Sequence, residues 1–170
     1  MKIFYSTLML GLLLIACQPK PDTSADDLFK KNAETVMKSI QNWQDEKPDY
    51  SLYADSAMAV NTSFGAQEDM IMILSEESKS NDKMMMEMYD FELLNSPPSF
   101  LPGVNPDTKK PDGSVRYYGA WKVTLPATDS TEAKSGILKI YESYDFNEDG
   151  KIIYQQGYGD FSGLMMYLSN

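Results

Sequence analysis

Carboxyl groups are the leading candidates for proton chemistry in this chain, because its 170 residues include no histidine and a single cysteine, Cys17. The missing histidine excludes triads with a His base, His-ligated zinc and facial-triad iron. The lone cysteine excludes an internal disulfide, a CxxC redox pair and thiolate metal cages. Among the acids, Glu142 stands out. Within Ser135–Phe146 alternation places it on one strand face with Leu138, Ile140, Tyr144 and Phe146. If that face lines a pocket, loss of water raises the Glu142 pKa and fits it for proton transfer. A position at a sheet rim, or a cross-strand lysine, leaves it an ordinary carboxylate. Asp55 is a weaker candidate proton carrier, since an acid in its setting commonly caps a turn. Asp145-x-Asn147-x-Asp149-Gly150 has the opening of a calcium loop, but its twelfth position is Gln156 and its flanks alternate like strands. A hairpin turn accounts for the same residues, so no metal or cofactor motif is read here.

Aromatic and methionine side chains form the second group. Trp43, Tyr89, Tyr117, Trp121 and Tyr144 are the candidate ligand-binding residues, with Met84, Met85, Met86 and Met88 beside them. Polarizable methionines and hydroxyl-tipped rings suit a pocket for a flat, apolar ligand, and they equally suit a core. Arg116, the sole arginine, alternates away from Trp121 and reads as one half of a surface ion pair. A formal net charge of −10 argues against nucleic acid as a partner.

These residues need elements to position them. Phe29, Ala33, Val36, Ile40 and Trp43 form one stripe, which predicts an amphipathic helix over 25–46, ended by Pro48. A short helix over 51–55 and a brief strand over 57–63 follow. Gly65 opens a second helical stretch, with Ala66, Met70, Ile73, Leu74 and Glu77 on one face. From there the period becomes 2, predicting strands over 84–94, 115–125, 135–146 and 151–158, the last two joined by a tight turn at Asn147–Gly150. The segment 96–113 carries five prolines and is expected to be irregular, either a functional excursion or a cover for an edge strand. Helices first and a meander afterwards indicate an α+β fold, with helices packed on one side of a mainly antiparallel sheet.

The N-terminus reads as an address. Lys2 precedes an apolar run from Ile3 to Ala16, too short for a permanent membrane span. Leu14-Ile15-Ala16-Cys17 resembles the bacterial lipobox. That resemblance implies a signal peptide over 1–16, lipidation of Cys17 and a tether over 17–24 ahead of a domain over 25–170. It places the protein on a membrane of the bacterial envelope through its acyl chains, palmitate among them. Gln18 is compatible with passage to the outer membrane. Removal of Lys2 leaves the rest of the chain more acidic still.

Two stretches carry a wider resemblance. Leu52-Tyr53-Ala54-Asp55-Ser56-Ala57-Met58-Ala59-Val60 is similar to the segment after the first helix of the nuclear-transport-factor-2-like superfamily, including its SnoaL-like polyketide-cyclase branch. Tyr144 to Ile152, followed by Gly157-Tyr158-Gly159-Asp160, is similar to its final hairpin. The resemblance implies a cone-shaped half-barrel whose N-terminal helices close over an apolar pocket on a curved sheet, and also the capacity to form a homodimer through the open sheet face. It implies no single activity. In the ketosteroid-isomerase branch a general-base Asp follows this first segment and a Tyr on the first helix assists; here those registers fall at Asn61 and near Met37, which can do neither job.

The reading that follows is an envelope lipoprotein whose domain binds a small apolar molecule or an envelope protein without catalysis. The alternative is a SnoaL-like isomerase, cyclase or dehydratase using Glu142 or Asp55.

Overall fold

A computed structural model describes residues 24–60, 62 and 70–170 of the chain. The expected signal peptide, Cys17 and the tether up to residue 23 lie outside the described residues, as do Asn61, Gly65 and Ala66; Ser24, expected at the end of the tether, is already the first residue of a helix. Among the described residues no helix is long and apolar enough to cross a membrane.

Helix α1 (Ser24–Gln44) is followed by a 3-10 turn at Tyr50–Leu52 and strand β1 (Tyr53–Val60). Then come β2 (Met70–Met72), α2 (Glu76–Met88), β3 (Asp90–Leu93), β4 (Ser99–Val104) and β5 (Pro111–Leu125). Strands β6 (Lys134–Phe146) and β7 (Ile152–Tyr158) and helix α3 (Phe161–Ser169) complete the chain. One sheet runs β2-β1-β7-β6-β5-β3, with β4 also on β5. Only β1 with β7 is parallel. The expected α+β class and mainly antiparallel sheet are present, and the sheet curves around the buried side of α1.

The stripe on α1 does what its spacing demands. Val36 and Ile40 are buried against Val115, Tyr117, Trp121 and Val123 of β5, with Phe29, Ala33 and Trp43 at the margin of the same core. The helix is pinned at both ends. Asn32 donates to the Gly113 carbonyl at 2.9 Å, and Gln44 accepts the Leu93 N–H at 2.8 Å. The outer edge of β5 serves two partners, β4 along its first half and β3 along its second. Asn95 stitches the break by accepting from Ala120 N–H at 2.9 Å and donating to the Tyr118 carbonyl at 3.0 Å.

Four expectations are corrected. The short helix expected over 51–55 is a single 3-10 turn, capped by Asp49, and β1 already begins at Tyr53. Met70–Met72, expected as helix, pairs with β1 as an edge strand. The methionine run expected as a strand is the second half of α2: Ser75 caps it, accepting from Ser78 N–H at 3.1 Å, and Glu76 and Glu77 occupy its first turn. Methionine is a good helix former, and the run of three apolar residues Met84-Met85-Met86 has no period of its own. The proline-rich segment contributes strand β4, because Pro102 sits on a sheet edge where its missing N–H is not needed. Helix α3 was not anticipated; Asp160 caps it, accepting from Gly163 N–H at 2.9 Å.

The turn between β6 and β7 uses the residues of the calcium-like motif internally. Asn147 accepts the Lys151 N–H at 2.9 Å, Gly150 takes a φ of +77°, and Asp145 pairs with Arg116 at 3.4 Å.

Candidate functional site

Alternation on β6 sends Leu138, Ile140, Glu142 and Tyr144 to the concave side of the sheet, where α1, the 3-10 turn, α2 and α3 stand around them. The space enclosed is about 470 Å³, within the range that small-molecule sites occupy. Its walls are mostly apolar: Ile40 and Trp43 from α1, Met85 from α2, Phe91 from β3, Trp121 from β5 and Phe161 from α3.

Glu142 lies at the floor. The group is enclosed by protein on every side except the cavity, to which it is open. Burial raises its pKa above the ordinary glutamate value. Two hydrogen bonds to the carboxylate oppose that rise. Tyr144 donates to Oε2 at 2.8 Å, and Gln155 Nε2 to Oε1 at 3.4 Å. Across the sheet, Gly157 stands directly opposite Glu142, and its lack of a side chain leaves that flank of the carboxyl open to the cavity.

The carboxylate ends a directed chain. Ser39 and Tyr53 share a hydrogen bond at 3.0 Å, Tyr53 donates to Gln155 Oε1 at 3.4 Å, and Gln155 donates on to Glu142. Burial, and then the negative charges of Glu142 and Asp82, hold the Tyr53 hydroxyl up at about 12 against the lowering effect of Ser39. Tyr144 is raised well above an ordinary phenol, first by burial and then by Glu142. Both hydroxyls therefore stay protonated near neutral pH and act as donors.

A second carboxyl group faces the cavity from α2. Asp82 accepts from Tyr50 Oη at 3.0 Å, and partial burial raises its pKa despite that bond. Asp49, at the mouth, is exposed and spoken for: it accepts from Ser51 N at 3.0 Å and Ser51 Oγ at 2.6 Å, which lower its pKa.

Of the residues singled out in the sequence, Trp43, Trp121, Tyr144 and Glu142 meet around this cavity. Tyr89 and Tyr117 do not line it. Tyr89 is buried at the junction of α2 and β3, because α2 ends one residue before it. Tyr117 is fully buried on the same sheet face as Glu142, its cross-strand partner, but packed within the core, with its ring beside Phe100 (centroids 5.8 Å apart) and folded over Gly119. Its hydroxyl has no partner of hydrogen-bond geometry, although the Trp121 side chain lies close enough to temper a pKa that burial pushes up to about 12. Asp55 is exposed on β1, away from the cavity. Of the four methionines, only Met85 reaches it.

Sequence reasoning missed Tyr50, Tyr53, Asp82 and Gln155. The signal for Asp82 was present in the spacing Ser78, Asp82, Met85, one face of a helix, but Met85 was assigned to a strand over 84–94 and the segment before it to no element.

The sequence matches no family model and no curated protein. Its structure is similar to many solved ones. A candidate isomerase from Bacillus subtilis superimposes with a TM-score of 0.62 at 11% identity, covering 84% of this chain and 95% of its own. An NTF2-like protein from Burkholderia xenovorans LB400 gives 0.57 at 11%, covering 82% and 96%. A candidate SnoaL-like polyketide cyclase from Shewanella denitrificans OS-217 gives 0.53 at 10%, covering 81% and 96%. Identities this low speak for the fold alone. The chain has the nuclear-transport-factor-2-like fold, the cone-shaped half-barrel that the two sequence stretches implied.

Proposed function

We propose that this protein is a cofactor-independent acid–base catalyst of the isomerase, cyclase or dehydratase type, in which Glu142 moves a proton on a small, largely apolar molecule held in the cone. One observation carries the reading. A carboxyl group is enclosed at the cavity floor with donors on both oxygens, and no lysine or arginine is among the described residues lining that cavity. A structural acid at such a depth is ordinarily matched by a cation. Resemblance in fold to proteins named as isomerases and cyclases supports the reading at that level.

The chemistry follows from the groups present. Poor solvation makes the Glu142 carboxylate a stronger base than a glutamate in water. It takes a proton from a carbon acid, the C–H electron pair moves onto the ligand's carbonyl oxygen, and the neutral carboxyl returns the proton at the same or a neighbouring carbon. Tyr144 keeps one oxygen of Glu142 bonded while the other works. Tyr53, which can receive a hydrogen bond from Ser39, turns its own O–H from the 3.4 Å contact with Gln155 to the oxygen where charge develops.

The test uses 2-tetralone, an apolar ketone with acidic α-protons, in deuterated water. Protein-dependent loss of the α-proton NMR signals, cut about 100-fold in Glu142→Gln, is the expected result. Exchange at the same rate with and without the protein contradicts the reading and returns weight to binding without catalysis in the same cavity.

Attachment to the envelope is a separate proposal. It rests on the apolar run and on Cys17 within Leu14–Cys17. Cys17→Ser is expected to abolish incorporation of a palmitate analogue and to shift the protein out of the membrane fraction. Unchanged labelling overturns it.

A further inference from the structure

Every charged side chain among the described residues that line the cavity is acidic: Asp49, Asp82 and Glu142. Around these acids stand the aromatic faces of Trp43, Tyr50, Phe91 and Trp121. Asp82 is the acid with unmet capacity. A carboxylate accepts several hydrogen bonds, and the one recorded for this side chain comes from Tyr50. Lys79, one turn earlier on α2, does not fill the gap: its ammonium is bound to Glu76 at 3.1 Å and lies 5.6 Å from the centre of the Tyr50 ring, outside the cavity lining. Asp49 is already satisfied by Ser51.

We propose that the natural occupant is an organic cation, an apolar body carrying one protonated amine, with the body against Trp43, Phe91 and Trp121 and the ammonium at Asp82. The proposal rests on the cavity being the working site, as the acid–base reading does, and adds the charge of its ligand. An ammonium at Asp82 compensates a carboxylate already taken partly out of water, so the cost of its burial is met by the ligand. The aromatic lining of the cavity, with Tyr50 in direct contact with Asp82, favours a cation through the negative faces of its rings. Carboxylated or phosphorylated ligands meet the reverse situation, with three acids around the cavity and no counter-charge. The arrangement also separates two duties. The amine is held from α2, which leaves the floor carboxyl free for the proton.

The test compares three probes of one shape, adamantylmethylamine, adamantylmethanol and adamantanecarboxylate, against the intact protein. Binding is read from tryptophan emission, since both tryptophans of the chain line the cavity. The amine is expected to bind at least tenfold more tightly than the alcohol, and the carboxylate most weakly. Asp82→Asn, whose amide oxygen still accepts from Tyr50, is expected to bring the amine down to the affinity of the alcohol without moving the alcohol. If the alcohol binds and the amine gains nothing, or the amine keeps its advantage in Asp82→Asn, the cation assignment is overturned while the cavity stands as a site. If no probe alters the emission, the cavity reading fails with it.

Discussion

The cavity contains the same pair of groups twice, a tyrosine hydroxyl donating to a carboxylate, in two very different supports. On the floor, Tyr144 reaches Glu142 at 2.8 Å within β6, a 13-residue strand paired along both edges. At the wall, Tyr50 of a 3-10 turn reaches Asp82 at 3.0 Å on α2, a helix with no buried residue. The floor pair is backed by Gln155, Tyr53 and Ser39, whereas among the described residues no further hydrogen bond backs the wall pair. Placement on paired strands fixes a side chain within narrow limits, as transfer of a proton requires. A lightly packed helix opens at lower cost, as admission of a ligand requires. The proposed division of labour, proton transfer at the floor and recognition at the wall, follows this difference in support.

The largest way to break this comparison is to remove the floor's packing. Trp121→Ala deletes a buried ring that also lines the cavity, and is expected to cost about 3–5 kcal/mol in denaturant unfolding. A loss under 1 kcal/mol contradicts a rigid floor. Gly119→Ala acts within the same core: the added methyl carbon falls 2.0 Å from the Tyr117 hydroxyl oxygen, so the buried ring must move. A destabilisation of about 1–3 kcal/mol is expected, and relief of it by Tyr117→Phe in the same chain checks the cause.

Tyr144→Phe sharpens the comparison on the chemical side. Losing a hydrogen bond to a charged acceptor is worth about 1.5–3 kcal/mol. The Glu142 pKa is therefore expected to climb further, since Tyr144 is the larger of the two bonds holding it down. Tyr50→Phe is expected to be the mildest, within about 1 kcal/mol of wild type in unfolding, because the half-buried Asp82 can turn to water. An equal effect of the two substitutions erases the distinction between floor and wall.

Legibility in the sequence follows the same division. The floor was readable because the stretches Val115–Val123 and Leu138–Tyr144 keep a period of two on their inner face and Glu142 interrupts an otherwise apolar run there; the α1 stripe and the Asn147–Gly150 turn were also regular. The wall was not. The run Met84-Met85-Met86 is apolar at every position and hides the helical period that places Asp82 and Met85 on the cavity side. Tyr89 and Tyr117 were grouped with the pocket because alternation tells which face a residue takes, while depth beneath that face depends on which elements cover it. Gln155 drew no notice because an uncharged amide gains meaning only from the two groups it joins. Prolines masked β4, since their cost in a strand vanishes at an edge.

The central claim is that Glu142 is a carboxyl group destabilised in its charged form by enclosure in the cone. For a group whose folded pKa lies above its unfolded value, the folded state holds more protons between the two. Stability must then fall as pH rises from the ordinary glutamate value through the folded one. The most direct measurement is a pH titration of the Glu142 side-chain carbon by NMR in protein labelled at glutamate, with Glu142→Gln to assign the resonance. The account predicts a midpoint clearly above the ordinary value of 4.5, and a decline in unfolding free energy over the same interval that is reduced in Glu142→Gln. A midpoint at or below 4.5, with the same pH dependence of stability in both proteins, contradicts it.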